Sequence, residues 1–259
     1  MLDLDTIFLA IGEYSLTYAQ ALTGVMHRRS DDDLPLSIYP TTFADYSAGM
    51  HLVQAILLAL LQREKTGEGQ LVSVSLYSSM IAMQMQEAAK WTKHREVLNW
   101  AAMPLTGVFD TTDGALVMVG AFKANPLRDI SAALGIEDLS KDYPDLAAQR
   151  ANKPYLQQRF REVFVTNTTA HWIARLEEQD LLCAPVRALG EALDDPQTVI
   201  NGMLLDFDHP VLGPLTVVGS PVHMSDAPLV LRHAPPRLGE HTDEILSEFG
   251  LKPAARAAG

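Results

Sequence analysis

The sequence predicts an α/β protein, and three features of its pattern lead to that class. Segments with apolar residues at helical spacing alternate with short segments in which every second residue is apolar. Glycine and proline separate these segments, as is typical of turns. The chain of 259 residues is also long enough to bury a sizeable core, in one large domain or two small ones. We therefore expect helices and strands in alternation.

The longest helical pattern occupies residues 46–63, where apolar side chains recur every three or four positions. A helix over residues 13–26 and a polar, proline-bearing loop from Asp31 to Pro40 are predicted before it. Asp45 directly precedes the pattern and is a good N-cap candidate. The glycines of Thr66-Gly67-Glu68-Gly69 predict the end of the helix, because glycine tolerates a left-handed cap. The apolar stripe consists of Val53, Ile56, Leu57, Leu60 and Leu61.

A strand is predicted next, over residues 70–76. Val72, Val74 and Leu76 alternate with serines, which is the strand period. A methionine-rich helix is predicted over residues 77–93, with its methionines filling gaps in the core. The chain after it predicts a hairpin, further helices and further strands. The hairpin joins 107–109 to 115–120 through Asp113-Gly114, and a frayed tail covers 253–259. The helices lie at 126–135, 154–165, 169–179 and 242–249. The strands lie at 183–187, 203–207 and 214–218.

Composition limits the classes of partner. A net charge of −12 and a pI near 5.0 argue against a nucleic-acid or anionic-membrane partner. The apolar stretch from Ile7 to Ile11 is too short to span a bilayer, and the acidic Asp3 and Asp5 stand where a signal peptide needs basic residues. The single Cys183 excludes an internal disulfide framework and, within its apolar run, predicts a buried, unreactive thiol. We expect a soluble, cytoplasmic protein.

Motifs for metal ions or phosphate groups are lacking. No H-E-x-x-H occurs, and neither His171 nor His209 has metal-ligand spacing, so no metal site is predicted. No glycine-rich phosphate loop occurs either. Two compact groups of cations, Arg28-Arg29 and Arg63 with Lys65, are expected to be solvated surface charge. His51 is expected to be an ordinary residue on the side of its helix.

Asp45 has two compatible interpretations. The simpler one is a helix cap, because aspartate is common at that position. The other is a nucleophile, since the positive end of a helix favours an ionised carboxylate and ionisation is what such a nucleophile requires. The residues alone permit the second interpretation without selecting it.

The stretch from Asp45 to Leu76, D-Y-S-A-G-M-H-L-V-Q-A-I-L-L-A-L-L-Q-R-E-K-T-G-E-G-Q-L-V-S-V-S-L, resembles the class III CoA-transferase family (CaiB/BaiF type), which includes formyl-CoA and carnitine CoA-transferases. Later segments resemble the same family in the same order, from about Tyr14 to Gly250. They are P-L-T-G-V-F-D-T-T-D-G-A-L-V-M-V-G from Pro104, C-A-P-V from Cys183, Asp195-Pro196-Gln197, and Leu238-Gly239-Glu240-His241-Thr242.

The resemblance implies the C-terminal part of a class III CoA-transferase fold: an incomplete Rossmann-like large domain and a small α+β domain. Residues 1–100 would be the remainder of the large domain, residues 101–187 the small domain, and residues 188–259 the return to the large domain. Family members carry roughly a further third of chain upstream. Their Tyr-Asp-Leu motif is Tyr14-Ser15-Leu16 here, so the chain is expected to lack the N-terminal portion.

The resemblance also implies an activity, the transfer of CoA between an acyl-CoA and a small carboxylic acid. Asp45 would be the nucleophile that forms an aspartyl-CoA intermediate, and Leu76 would lie near the CoA. CoA and acyl-CoA would be substrates, with no permanently bound cofactor, and the protein would form a homodimer. One alternative is an α-methylacyl-CoA racemase, which pairs the same aspartate with an upstream histidine; the matching position is near Ser15, and no histidine precedes His27. Another alternative is an inactive fragment, or a subunit that needs a separate N-terminal half.

Overall fold

The computed structural model describes residues 16–29, 34–227 and 233–251. The chain divides into two units, residues 1–186 and 187–259. The division into three domains expected from the sequence stays a prediction. Tyr14, Ser15 and the tail at 253–259 lie outside the described residues.

Within the described residues, the first unit begins with helices α1 (Leu16–Leu22), α2 (Phe43–Thr66), α3 (Leu76–Ala82) and α4 (Met85–His94). The helix predicted over 13–26 is confirmed only in part, because Gly24 adopts a left-handed φ of 79° and a short 3-10 turn, Val25–His27, follows it. The predicted methionine-rich helix is two helices, α3 and α4, separated at Met83 and Gln84. Of its methionines, Met80 is buried as expected, whereas Met83 and Met85 are exposed.

Helix α2 is confirmed, but it starts three residues earlier than predicted. Thr42 is its N-cap residue, so Asp45 is the third residue of the helix and the N-cap prediction was wrong. The reason is packing: Ala44 is fully buried and Phe43 packs beside it, so the helix extends upstream to bury both. Its end is as predicted, with Gly67 at a φ of 76° donating its N–H to the carbonyl of Arg63 at 2.7 Å.

The apolar stripe of α2 is buried only in part. Ile56 and Leu60 are half-buried, whereas Val53, Leu57 and Leu61 are exposed. By length and composition alone, α2 could cross a membrane. That criterion is weak, because core helices of soluble proteins also meet it.

The strand predicted over 70–76 was wrong. Within the described residues, this segment belongs to neither β-sheet, and Val72 forms only an isolated bridge. Leu76 instead begins α3, because the hydroxyl of Ser75 accepts the N–H of Ser78 at 3.0 Å and caps that helix. A strand needs a neighbouring strand to satisfy its backbone, and local alternation alone does not supply one.

A small core joins α1, α2 and α3. Its buried members are Ala19, Val25, Ala44 and Met80, with Tyr39, Phe43 and Leu76 packed against them. Hydrogen bonds reinforce the junction. The Gln20 side chain pairs with the backbone of Tyr39 in both directions, at 3.1 and 3.0 Å, and the amide of Gln84 donates to the carbonyl of Thr23 at 3.0 Å.

The second part of this unit contains an antiparallel sheet of strands β1 (Thr106–Asp110), β2 (Ala115–Val119) and β3 (Leu182–Pro185), in the order β1-β2-β3. The predicted hairpin and the predicted strand near 183–187 are therefore confirmed. Helices α5 (Pro126–Leu134), α6 (Leu146–Ala151), α7 (Lys153–Phe164) and α8 (Thr169–Glu178) accompany the sheet, and α6 was not predicted. A separate apolar core lies among these elements; it includes Phe109, Leu116, Met118, Ile130, Phe160, Phe164, Trp172 and Leu176.

The second unit contains α9 (Leu189–Leu193), α10 (Pro196–Ile200), the antiparallel strands β4 (Leu204–His209) and β5 (Gly213–Val218), and α11 (Thr242–Glu248). Both strands and α11 agree with the sequence prediction, whereas α9 and α10 were missed because each is a single short turn. The mixed helix and strand content expected from the sequence is thus confirmed.

Candidate functional site

Asp45 lies in the first turn of α2 with its side chain exposed. The neighbouring Ala44 and Ser47 are buried, so the helix is anchored on one side and presents Asp45 on the other. Among the described residues, nothing forms a hydrogen bond or an ion pair with the Asp45 carboxylate. The first backbone N–H groups of any helix lack partners within it, and the dipole makes this end positive. The position therefore offers an available carboxylate at the positive end of a long helix.

Leu76 is the first residue of α3. It is half-buried and packs against the small core that contains Ala44, the residue before Asp45. Leu76 begins a helix, whereas the sequence predicted that it would end a strand. Its predicted contact with CoA stays a prediction.

Arg28 and Arg29 were expected to be solvated surface charge. They are instead half-buried and hydrogen-bonded to other parts of the chain, so that expectation was wrong. Arg28 donates to the carboxylate of Glu87 and to the amide oxygen of Gln84, each at 2.6 Å. Arg29 donates to the carbonyl of Leu34 at 2.5 Å, and its Nε is buried without a partner in the described chain. Since Arg28 is neutralised by Glu87, it is a structural residue that fixes the chain after α1 to α4.

A cavity of about 420 Å³ lies between α2 and the chain that leads into α3. Its wall contains the imidazole of His51 and several serine side chains, and Asp45 is not among the lining residues. Nδ1 of His51 and Oγ of Ser79 are buried and have no described partner. The sequence prediction treated His51 as an ordinary helix residue. The lining residues are His51, Ser73, Val74, Ser75, Ser78, Ser79 and Ala82.

A second cavity, of about 370 Å³, lies at the end of β2 beside α5 and α6. The loop that borders it is held tightly, because Lys123 donates to the carbonyl of Gln179 at 2.6 Å and lies 3.5 Å from Asp129. Phe122 has a φ of 67°, is 82% exposed and stacks on Trp100 with ring centroids 6.5 Å apart. The sequence prediction did not identify this loop.

The thiol of Cys183 is not activated for nucleophilic attack. Cys183 is a free, half-buried thiol; burial raises its pKa, and the negative charge of Glu177 adds to that effect. A thiol with a raised pKa is a poor nucleophile. In the part of the chain that the structure describes, no group of three or more histidine, cysteine, aspartate or glutamate side chains could hold a metal ion. His27 is exposed, and Ser15 lies outside the described residues.

Comparison with known proteins identifies CoA-transferases among the relatives of this chain. The sequence model of a family described as CoA-transferase family III matches residues 14–242. Succinyl-CoA:glutarate CoA-transferase from Mus musculus is 28% identical, over 89% of this chain and 54% of its own length. Formyl-CoA:oxalate CoA-transferase from Streptomyces coelicolor is 29% identical, over 90% of this chain and 62% of its own length.

The fold has a counterpart among solved structures. A CaiB/BaiF family protein from Brucella suis superimposes with a TM-score of 0.75 at 22% sequence identity, over 93% of this chain and 67% of its own. The predicted class of fold is thereby confirmed. The chain spans 54% and 62% of the two curated relatives, so a substantial part of their length has no counterpart in the residues compared.

Proposed function

The chain belongs to CoA-transferase family III, and from that premise we propose that it takes part in the transfer of CoA between an acyl-CoA and a carboxylic acid, with Asp45 as the nucleophile. The family match over residues 14–242 carries this proposal. The geometry of Asp45 supports it, because the side chain is exposed, unpaired among the described residues and located in the first turn of α2.

The proposed reaction begins with attack of an Asp45 carboxylate oxygen on the thioester carbonyl of the acyl-CoA. The carbon–sulfur bond breaks, CoA leaves as a thiolate, and Asp45 becomes part of a mixed anhydride. The thiolate then attacks the aspartyl carbonyl carbon, and the first acid leaves as a carboxylate. The product of this half-reaction is an aspartyl-CoA thioester. Dividing one acyl exchange into covalent steps is the general advantage of such a nucleophile.

The second half-reaction reverses these steps with a different acid. An incoming carboxylate attacks the aspartyl thioester, CoA leaves again as a thiolate, and the thiolate attacks the new acyl carbonyl. Asp45 is released as a free carboxylate, and no water is consumed. Hydrolysis of either intermediate would waste the acyl-CoA, so the site must be shielded from water during turnover. Asp45 is exposed here, so that shielding needs a further surface.

The substrates are proposed as a class. The two relatives named for glutarate and for oxalate match almost equally well, at 28% and 29% identity, so the names favour neither acid. We propose CoA thioesters and small carboxylates as substrates, with no permanently bound cofactor. A homodimer in the cytoplasm is part of the same proposal, and it rests on the family resemblance and on the acidic composition.

A transfer assay tests the proposal. Succinyl-CoA is incubated with glutarate, and formyl-CoA with oxalate, and the new acyl-CoA is separated by chromatography. We expect transfer with at least one pair, and its loss in Asp45→Asn. The matched control is Glu64→Gln, an exposed acid in the last turn of the same helix, which should keep full activity. Transfer that persists in Asp45→Asn would contradict the assignment.

A further inference from the structure

The imidazole of His209 is buried at the end of β4, and both of its ring nitrogens are hydrogen-bonded. Nδ1 lies 3.1 Å from the backbone nitrogen of Val211 and 3.1 Å from that of Leu212. Nε2 lies 3.2 Å from the carbonyl oxygen of Pro235. Because a backbone N–H can only donate, Nδ1 accepts both bonds and carries no proton. The neutral ring therefore has its proton on Nε2, which donates to Pro235.

The Nδ1 atom holds the loop between β4 and β5. His209 pairs with Gly213 across the hairpin, so Pro210, Val211 and Leu212 form the loop. The side chains of Val211 and Leu212 are 61% and 68% exposed, so apolar burial gives the loop little support. A side-chain acceptor that takes N–H groups two and three residues further along is a common way to hold a turn. The loop conformation therefore depends on the two bonds to the imidazole.

The Nε2 atom holds a second piece of chain, residues 233–241, which we call the strap. Within the described parts of the chain, the bond to Pro235 is the one hydrogen bond that joins the strap to the β4–β5 hairpin. The other hydrogen bonds of the strap are internal or reach α11, such as that from the N–H of Arg237 to the Glu240 carboxylate at 2.7 Å. Leu238 is fully exposed, so it does not anchor the strap by packing. His209 is therefore the polar link between the strap and the hairpin.

Protonation of the imidazole would break this arrangement. Histidine is the side chain that ordinarily changes its charge between about pH 5 and 8. A proton on Nδ1 would place one N–H against the N–H groups of Val211 and Leu212, and the ring would lose its only acceptor. The two loop bonds cannot form in that state, and a charged ring is costly to keep buried.

The charged groups around His209 do not replace the lost bonds. Glu240 lies near enough that its carboxylate and the imidazole affect each other. The N–H of Arg237 lowers the pKa of Glu240 most, and the charges of Arg237, His241 and His209 lower it further, so Glu240 stays ionised as the histidine titrates. Its carboxylate favours a charged ring, but it is bonded to Arg237 and gives Val211 and Leu212 no acceptor. Asp208, beside His209 on β4, is exposed to solvent.

We propose that His209 is a pH-sensitive latch, which holds the β4–β5 loop and the strap together when the ring is neutral and releases both when it is protonated. The closed latch is stable near pH 8 and is lost as the pH falls toward about 5. The strap leads directly into α11, so release frees the chain in front of that helix. The latch does not depend on the transfer activity proposed above.

The first test determines which ring nitrogen carries the proton. The histidines of the full chain are labelled with ¹⁵N, and long-range proton–nitrogen NMR spectra are recorded at about pH 8 and about pH 5.5. The signals of His209 are assigned by their loss in His209→Asn. We expect an unprotonated Nδ1 and a protonated Nε2 at the higher pH, and both nitrogens protonated at the lower pH. A proton on Nδ1 at the higher pH would overturn the proposal.

The second test measures release by deuterium exchange at the same two pH values, with each amide compared with an unstructured chain at that pH. In the native chain, we expect the amides of Val211, Leu212 and the strap to lose protection roughly tenfold at the lower pH. In His209→Asn, Oδ1 stands where Nδ1 stood and accepts the same N–H groups, but no donor reaches Pro235. The loop of that variant should stay protected at both pH values, and its strap should be unprotected at both.

His223→Asn is the matched control, because it removes an exposed histidine from the same unit and should keep the pH dependence of the native chain. Equal protection of the native chain at the two pH values, or pH-dependent protection that persists in His209→Asn, would overturn the proposal. If His209→Asn does not fold, the ring spectra and the exchange of the native chain still decide the outcome, with the His209 signal assigned in His223→Asn and the other single-histidine variants.

Discussion

The guanidinium of Arg28 and the carboxylate of Glu87, 59 positions apart in the chain, lie 2.6 Å from each other. Their side chains are only 25% and 20% exposed, and Gln84 completes the contact by accepting a second N–H from Arg28. The pair fixes the segment after α1 to α4, and so it supports the framework against which the first turn of α2 packs.

Replacing Glu87 should therefore destabilise the first unit. We expect Glu87→Ala to lower the free energy of unfolding by about 1–3 kcal/mol, because it leaves a half-buried guanidinium without its charged partner. The ion pair of Lys90 with Glu96 is more exposed, so Glu96→Ala is the control and should have little effect. Chemical denaturation measures both. Equal effects from the two variants would contradict the structural role of Arg28.

The Asp113 carboxylate connects the β1–β2 loop to the start of α8. It accepts the backbone N–H of Thr169 at 2.7 Å and the Thr169 hydroxyl at 3.0 Å, and these bonds lower the pKa of Asp113. A lowered pKa in the folded state contributes stability at pH values above the unfolded pKa of about 4, and that contribution is lost as the pH falls through the folded value.

The stability difference between the native chain and Asp113→Asn should accordingly depend on pH. We expect the native chain to be the more stable at about pH 6 and its advantage to shrink toward about pH 3. Denaturation midpoints at several pH values measure this. An advantage that stays constant over the range would show that the charge of Asp113 contributes nothing.

Gly120 directly follows β2 and lies against Leu105, the residue that precedes β1. A Cβ at this position would lie 2.4 Å from the Cβ of Leu105 and 2.5 Å from its carbonyl oxygen, both too close. Gly120→Ala should therefore destabilise the unit by about 1–3 kcal/mol. Gly49→Ala is the matched control, because a Cβ at Gly49 meets nothing within 4 Å and lies in α2, where alanine is favoured by up to about 1 kcal/mol. A neutral Gly120→Ala would contradict the close contact.

The exposed apolar face of α2 should make the isolated chain associate. We expect sedimentation to show concentration-dependent association, and we expect Leu58→Lys combined with Leu61→Lys to shift the chain toward monomer without loss of helical circular dichroism. Gln62→Lys, an exposed polar position on the same helix, adds charge without removing apolar surface and serves as the control. A stable, monodisperse native monomer would contradict this expectation.

The sequence predicted the elements whose signals are local. Alternation and an Asp-Gly turn sufficed for the β1–β2 hairpin, and the left-handed Gly67 sufficed for the end of α2. The errors arose where packing or partners distant in the sequence determine where an element starts or whether it forms. Burial of Ala44 moved the start of α2 past Asp45, and the lack of a described neighbouring strand left residues 70–75 outside a sheet.

The site was predictable to the same limited degree. Asp45 and Leu76 came from the family resemblance, and their roles stay predictions. The pairing of Arg28 with Glu87 could not be predicted, because the two residues meet only through the tertiary fold. The unpaired atoms of His51 and Ser79 depend equally on how α2 and α3 pack, so no local pattern identified them.

Intact-protein mass spectrometry after incubation with succinyl-CoA or formyl-CoA tests the central claim most directly. We predict a species heavier than the native chain by one CoA less one water, removed by hydroxylamine and absent from Asp45→Asn, because the aspartyl-CoA thioester forms on that carboxylate. Peptide mapping should place the modification on Asp45. A CoA adduct on another residue, or an adduct that persists in Asp45→Asn, would contradict the assignment of Asp45 as the nucleophile.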